Sequence, residues 1–407
     1  MKHTFFRTYQ LACCLFLIFN VIACTVGNTS PTKVATKDAE GKPILTHDQV
    51  RSPTQSSHES MIATPIITAT KIPQPTSVRS NWTITEYWKQ ANQIRSIVVD
   101  ASGDLWTGGP GGVVHWDLST NKPTIYVLER KKYGDENNVM GLVQTSDKHI
   151  WVGTYGNGLS RFDGYGWQTY TTEDGLPSNK VVNLVVTPNG RLWVDVATDS
   201  EQVPKQGKLG EFDGHSWTPI SDGNFYRIAT APDNSLWVLT TWVGQPYYWT
   251  YTLRYDGKKW QNITLQQEVI SAITVAPNGV VWVATDSGVF KFDGASWEKL
   301  IPPWIKDQEG TRVTSIAASP TGDIWFGLSF NSLDEEDKCG YRWIDSKELG
   351  VFLYKEKEWE HFTTEDGLVD DKICAIAVGP NGDVWFGSYD NGVSRFDGKI
   401  WSSYMVP

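Results

Sequence analysis

Five aspartates recur in one setting: Phe162-Asp163-Gly164, Phe212-Asp213-Gly214, Tyr255-Asp256-Gly257, Phe292-Asp293-Gly294 and Phe396-Asp397-Gly398. Carboxylates repeated at fixed spacing could hold a metal or share acid–base work. Each sits beside glycine, however, where a short carboxylate bonds backbone N–H groups and shapes a turn. The expectation is five hairpin turns and no catalytic array. The histidines of this part of the chain, His115, His149, His215 and His361, are scattered. There is no H-E-x-x-H, G-x-S-x-G, phosphate loop or Cys/His metal spacing. No catalytic residue, metal or cofactor is assigned.

The other residues suited to chemistry are aromatics with polar tips. Trp242, Tyr247, Tyr248, Trp249 and Tyr251 crowd one stretch, and Tyr341, Arg342 and Trp343 crowd another. Tyr155 and Tyr389 stand in shorter segments. Such side chains offer a large apolar face and a hydrogen bond at once, which suits a sugar, a peptide or a protein surface. These ten residues form the candidate ligand-binding set. The acidic run Asp334-Glu335-Glu336-Asp337 lacks the ligand-and-glycine spacing of a calcium loop and reads as a solvated loop.

The elements that must position these residues come from a repeat. A tryptophan after an aliphatic residue occurs at Trp106, Trp151, Trp193, Trp237, Trp282, Trp325 and Trp385, at intervals of 45, 42, 44, 45, 43 and 60 residues. That is the period of a four-stranded propeller blade. Each unit opens with an aliphatic strand and turns at a Pro-Asn-Gly-like tetrad. It then runs through the tryptophan strand and a third strand to the aromatic-Asp-Gly turn. It ends in an outer strand with a second tryptophan, such as Trp167 or Trp401. The fold class is all-β, a seven-bladed propeller of four-stranded antiparallel blades. Blade one is degenerate, with Trp116-Asp117-Leu118 at its last turn. The stretch around Trp82 supplies an eighth candidate outer strand that either seals the last blade or docks as an extra edge. Connections between second and third strands expand at 195–208, 241–251 and 329–350, all on one face. Long loops on a rigid scaffold are where binding concentrates.

The first residues read as a targeting segment: Lys2, His3 and Arg7, then an apolar run too short for a comfortable membrane span. Val21-Ile22-Ala23-Cys24 resembles the bacterial lipoprotein cleavage box, which implies a signal peptide over 1–23 and lipidation of Cys24. Residues 24–80, rich in Thr, Ser and Pro, then form a disordered tether of about 40 Å reach. The propeller occupies 81–407. Cys339 and Cys374 are left for a possible disulfide, which their spacing cannot decide.

Two units are better formed than the rest. They share a W-[VF]-G-[TS] strand, a glycine centre (Gly156-Asn157-Gly158 in the first), R-F-D-G, and the tail Thr171-Thr172-Glu173-Asp174-Gly175-Leu176 or Thr363-Thr364-Glu365-Asp366-Gly367-Leu368. The pattern resembles the two-component-regulator propeller repeat. In that family such propellers are mostly periplasmic sensor halves of histidine kinases. Here there is one propeller, an N-terminal anchor and no kinase motif, so the resemblance implies the fold and a tendency to bind ligands, not the signalling output.

With 46 acidic against 36 basic residues, net −10, the chain has no field for a nucleic-acid backbone. The reading is a membrane-anchored, extracytoplasmic, monomeric binding or sensor-like module for a glycan, peptide or protein partner. Its alternative is a lyase or hydrolase on extracellular polysaccharide or a small cyclic substrate. If Cys24 carries the lipid, Cys24→Ser moves the protein from the membrane to the soluble fraction. A variant that stays unprocessed in the membrane would rule the anchor out.

Overall fold

The computed structural model describes residues 67–68, 90–126, 138–198, 207–223, 225–244, 247–265, 268–307, 311–330 and 350–406. Seven sheets follow one another along the chain, each an antiparallel run of four strands in sequence order. The innermost strands are Ser96–Val99, Val139–Gln144, Lys180–Val186, Phe225–Thr230, Ile270–Val275, Thr311–Ala318 and Ile373–Val378. Each touches the inner strand of the blade before and after it, and the seventh touches the first, so the ring is closed. This is the expected seven-bladed propeller.

The seven tryptophans are the wedges between blades. Trp193 and Trp385 are among the most deeply buried side chains, and all seven are at most 7% exposed. Each of the seven blade–blade joints has its own apolar cluster. Trp151 sits with Leu184, Val194 and Phe212 of blade three; Trp385 sits with Ile94, Ile97 and Val114 of blade one. Truncating such a ring to alanine costs about 3–5 kcal/mol.

The remaining motif letters also have structural duties. In R-F-D-G, Arg161 and Arg395 lie over Trp151 and Trp385, their cross-strand partners, at 5.9 and 5.4 Å from the ring centres. The Phe pairs across the hairpin with the outer tryptophan, as in Phe162–Trp167 at 5.0 Å and Phe396–Trp401 at 4.7 Å. The Asp accepts two backbone N–H bonds two and three residues on: Asp163 from Tyr165 and Gly166, Asp397 from Lys399 and Ile400. Those bonds hold the Asp163, Asp213, Asp256, Asp293 and Asp397 carboxyls below the usual range, as turn acceptors should be. Degenerate blade one keeps the device. Asp117 accepts from the N–H groups of Ser119 and Thr120 and from the Ser119 hydroxyl, which lowers its pKa to about 2.

The ring closes without strand exchange. Blade one has its own outer strand, Lys122–Tyr126, and blade seven its own, Trp401–Met405. The joint is made instead by backbone and side-chain bonds. Ile94 N–H donates to Ser388 C=O at 2.9 Å, and Gly392 N–H to Asn92 C=O at 3.0 Å. Asn92 exchanges two bonds of 2.8 Å with the backbone of Val406. Ile94 seats directly on Gly387, where a Cβ would lie 2.4 Å from an Ile94 methyl. Trp82 lies outside the described residues. The extra edge is supplied by Ile67–Thr68, within the stretch read as a tether, which pairs parallel with Tyr404 and Met405. Cys374 is disulfide-bonded, and Cys339, the partner weighed from the sequence, lies outside the described residues. Among the described residues no helix is long and apolar enough to cross a membrane.

The Ile94–Gly387 contact gives a direct test of closure. Gly387→Val forces a side chain into Ile94, and overpacking of this kind costs about 1–3 kcal/mol. Urea unfolding should show the midpoint falling accordingly; an unchanged midpoint would mean that the last joint is not tightly packed.

Candidate functional site

The two faces of the ring differ as the strand order requires. On one lie the turns joining strands one to two and three to four. These turns are short and held by their own carboxylates. The one cluster of potential metal ligands found among the described residues, Asp100, Asp104 and His115, lies here. Its atoms are already engaged. Asp100 accepts from the N–H groups of Ser102 and Asp104 and from Trp106 Nε1, while Asp104 accepts from Leu118 N–H and faces His115 Nε2 at 3.3 Å. The cluster knits the degenerate blade together. The same face has an open groove of about 460 Å³ between blades five and six, beside Trp282, Asp323, Tyr354 and Lys355.

On the opposite face lie the connections from second to third strands and from each outer strand to the next blade. Blade four differs most from the sequence expectation. Residues 241–251, read as a loop, continue both middle strands, which run Leu236–Gly244 and Tyr247–Tyr255, nine residues each. Backbone pairing carries Trp242 opposite Trp249, Val243 opposite Tyr248 and Gly244 opposite Tyr247. Tyr251 pairs with Thr240 at the root and is half-buried. The physical reason is composition: aromatic and β-branched residues on both arms favour a ladder over an irregular loop. Five of the ten candidate residues are thereby gathered on one β-hairpin.

The other five are not gathered with them. Tyr341, Arg342 and Trp343, like the acidic run at 334–337, lie outside the described residues. Tyr155 belongs to blade two, separated from the hairpin by blade three. It forms a bridge with Lys180, whose Nζ lies 5.8 Å from the ring centre. Tyr389 belongs to blade seven, and its N–H donates to Lys372 C=O at 3.0 Å.

The Thr-Thr-Glu-Asp-Gly-Leu tails fall on this face too, and they are built as staples. Thr171 N–H donates to Asp174 and Thr172 N–H to Asn179; Thr363 and Thr364 repeat this with Asp366 and Asp371. The leucine that ends each tail, Leu176 or Leu368, is buried in the next joint.

Two groups on this side were missed by the sequence reading. Asp370, in the linker into blade seven, is half-buried. Burial raises its pKa, nearby Asp390 adds to the rise, and bonds from Lys372 N–H and Asn391 Nδ2 work against it. Arg227 stands in the inner strand of blade four. Both lie inside repeat elements, so only comparison of equivalent positions across blades would have singled them out.

Residues 133–156 match the family model described as the two component regulator propeller. No curated protein matches the chain by sequence. Among solved structures, a catalytically inactive virginiamycin B lyase from Staphylococcus aureus with quinupristin is similar, with TM-score 0.56 and 16% identity over 75% of this chain and 95% of that one. The extracellular domain of a putative one component system from B. thetaiotaomicron gives TM-score 0.55 and 15% identity over 75% of this chain and 38% of its own. PorZ, a surface component of the type-IX secretion system of Porphyromonas gingivalis, gives TM-score 0.53 and 18% identity over 75% and 46%. These likenesses establish the fold. The chain spans less than half the length of the latter two.

Asp370 sets a pH signature. A carboxyl whose folded pKa is raised favours folding in its protonated form; that contribution is present below its ordinary value of 3.8 and lost as pH rises through the folded value. Thermal melts across pH should show Asp370→Asn gaining on the wild type as pH climbs above 3.8. Parallel curves would contradict the burial assigned to this carboxyl.

Proposed function

Because this chain carries the two-component regulator propeller repeat on a seven-bladed ring, we propose that it is an extracytoplasmic binding or sensor-like module, held to a bacterial membrane by a lipid on Cys24. The ligand is a glycan, peptide or protein surface, taken on the face that bears the blade-four hairpin. One observation carries this reading: among the described residues the chain departs from its own repeat by extending two strands beyond those of the other blades, and it places Trp242, Tyr247, Tyr248 and Trp249 on that extension with Tyr251 at its root. Extra strand length contributes nothing to closing the ring. Aromatic side chains have few rotatable bonds to immobilise on binding and offer stacking faces to sugar rings or anchors to a partner. Support for the location comes from similar folds described as an extracellular domain and as a surface component.

The described histidines do not favour a lyase or hydrolase. His115 stacks on Trp106 and is engaged with Asp104, His149 is paired with Asp147, and His361 stacks on Phe352. His215 follows Asp213 in an outer turn. None stands on an inner strand.

The full chain is screened against glycan and peptide arrays, with Trp242, Tyr248 and Trp249 replaced together by alanine in a second sample. Loss of binding by at least tenfold, about 1.4 kcal/mol, is expected for removal of stacking anchors. Undiminished binding by the triple variant would move the site off the hairpin.

A further inference from the structure

The inner strands can be compared at equivalent positions. Starting from the first buried aliphatic or aromatic residue they read IRSIVV from Ile94, VMGLVQ from Val139, VVNLVV from Val181, FYRIAT from Phe225, ISAITV from Ile270, VTSIAA from Val313 and ICAIAV from Ile373. None contains Asp or Glu, whereas two contain arginine, in a chain whose net charge is −10. In six of the seven the ladder slips at the second residue, a bulge that re-aims the side chains around it.

Arg227 takes the third position. The other blades have Ser96, Gly141, Asn183, Ala272, Ser315 and Ala375 there. That position abuts the next inner strand: Ser315 Oγ accepts from Ile376 N–H at 3.0 Å, and a Cβ at Gly141 would stand 3.3 Å from Leu184 N. Arg227 thus puts a long cationic side chain at a site the ring elsewhere fills with short, uncharged residues. Among the described residues its one hydrogen bond is from Nη1 to the Tyr226 carbonyl, at 3.0 Å. Among the described residues no carboxylate is paired with it. Asp195, the one acid on the second strands near this end, is buried and accepts from Asn183 Nδ2 at 2.8 Å. The Tyr226 hydroxyl donates to Ile270 C=O. The surrounding protein disfavours the charged form, drawing the pKa of Arg227 below the usual arginine range. Its surface is only partly covered, so solvent reaches it.

A guanidinium has five donors and stays charged in proteins. One spent on a carbonyl leaves four, and a half-buried cation with no counter-charge among the described residues is under-compensated. An oxyanion in bidentate contact would satisfy both needs. We propose that the ring interior at Arg227 is an anion-binding site, taking a carboxylate, sulfate or phosphate group. It is separate from the aromatic hairpin and does not depend on that reading.

The test uses thermal melts of the full chain at low ionic strength with sodium sulfate, phosphate or glucuronate, against glucose and against sodium chloride at matched ionic strength. The wild type should gain about 2–4 °C from an oxyanion beyond the chloride control, and Arg227→Met should lose that gain. In oxyanion-free buffer Arg227→Met should melt above the wild type, since it removes an uncompensated charge. A shift with glucuronate and none with the inorganic ions assigns the site to a ligand's carboxylate, and the reverse assigns it to a free ion. Equal responses in both proteins, or none in the wild type, would overturn the proposal. Should Arg227→Met not fold, bromide-soaked wild-type crystals decide: an anomalous peak within hydrogen-bonding reach of the guanidinium supports the site, and its absence refutes it.

Discussion

Everything in this ring depends on one packing contact made seven times: a tryptophan of one blade pressed into the aliphatic side of the next. It is a surface-to-surface contact between sheets, with no backbone ladder across it. The glycine after the tryptophan strand's aliphatic residue lets the neighbour's first inner residue approach, as Ile94 approaches Gly387 and Val181 approaches Gly153. Where the glycine gives way to Asp195, Leu239 or Ala284, the joint is repacked and not lost, because Phe225, Ile270 and Val313 remain buried there. Cores tolerate such exchanges when volume and pattern are kept.

That dependence explains why so many chemically suggestive residues are occupied. The repeated aspartates are consumed by turn N–H groups, and the repeated arginines cover tryptophan faces. The threonines of the tails cap their own short turns. A residue that serves the repeat in every blade cannot serve a ligand in one. Distinctive chemistry is therefore found where a blade departs from its siblings, at the hairpin of blade four and at Arg227 in the same blade.

The fold was legible because the tryptophan period and the turn residues are local signals that survive insertion and drift. The turn role of the aspartates was legible for the same reason, since Asp beside Gly has few other uses in a hairpin. The hairpin was not. Length alone suggested a loop at 241–251, while the aromatic and β-branched residues on both arms continue the pairing past the body of the blade. Arg227 was hidden because FYRIAT reads as an ordinary buried strand; its oddity emerges only in register with six other strands. Asp370 was hidden because its shifted protonation depends on burial that no local pattern encodes.

Closure by side-chain and backbone bonds at a single joint has a kinetic side. Each blade is one uninterrupted stretch of chain, so six joints form between segments that are already neighbours in sequence. The seventh joins Asn92 to Val406, 314 residues apart. The entropy of closing so long a loop grows only with the logarithm of its length, so the delay is modest. Until it closes, the open arc presents Ile94, Ile97, Trp385 and Tyr404 to water on its two free ends. Those ends are complementary to each other and equally to the ends of a second open arc. Nascent chains at high concentration can therefore join end to end, and the speed of this last closure decides between a ring and a filament.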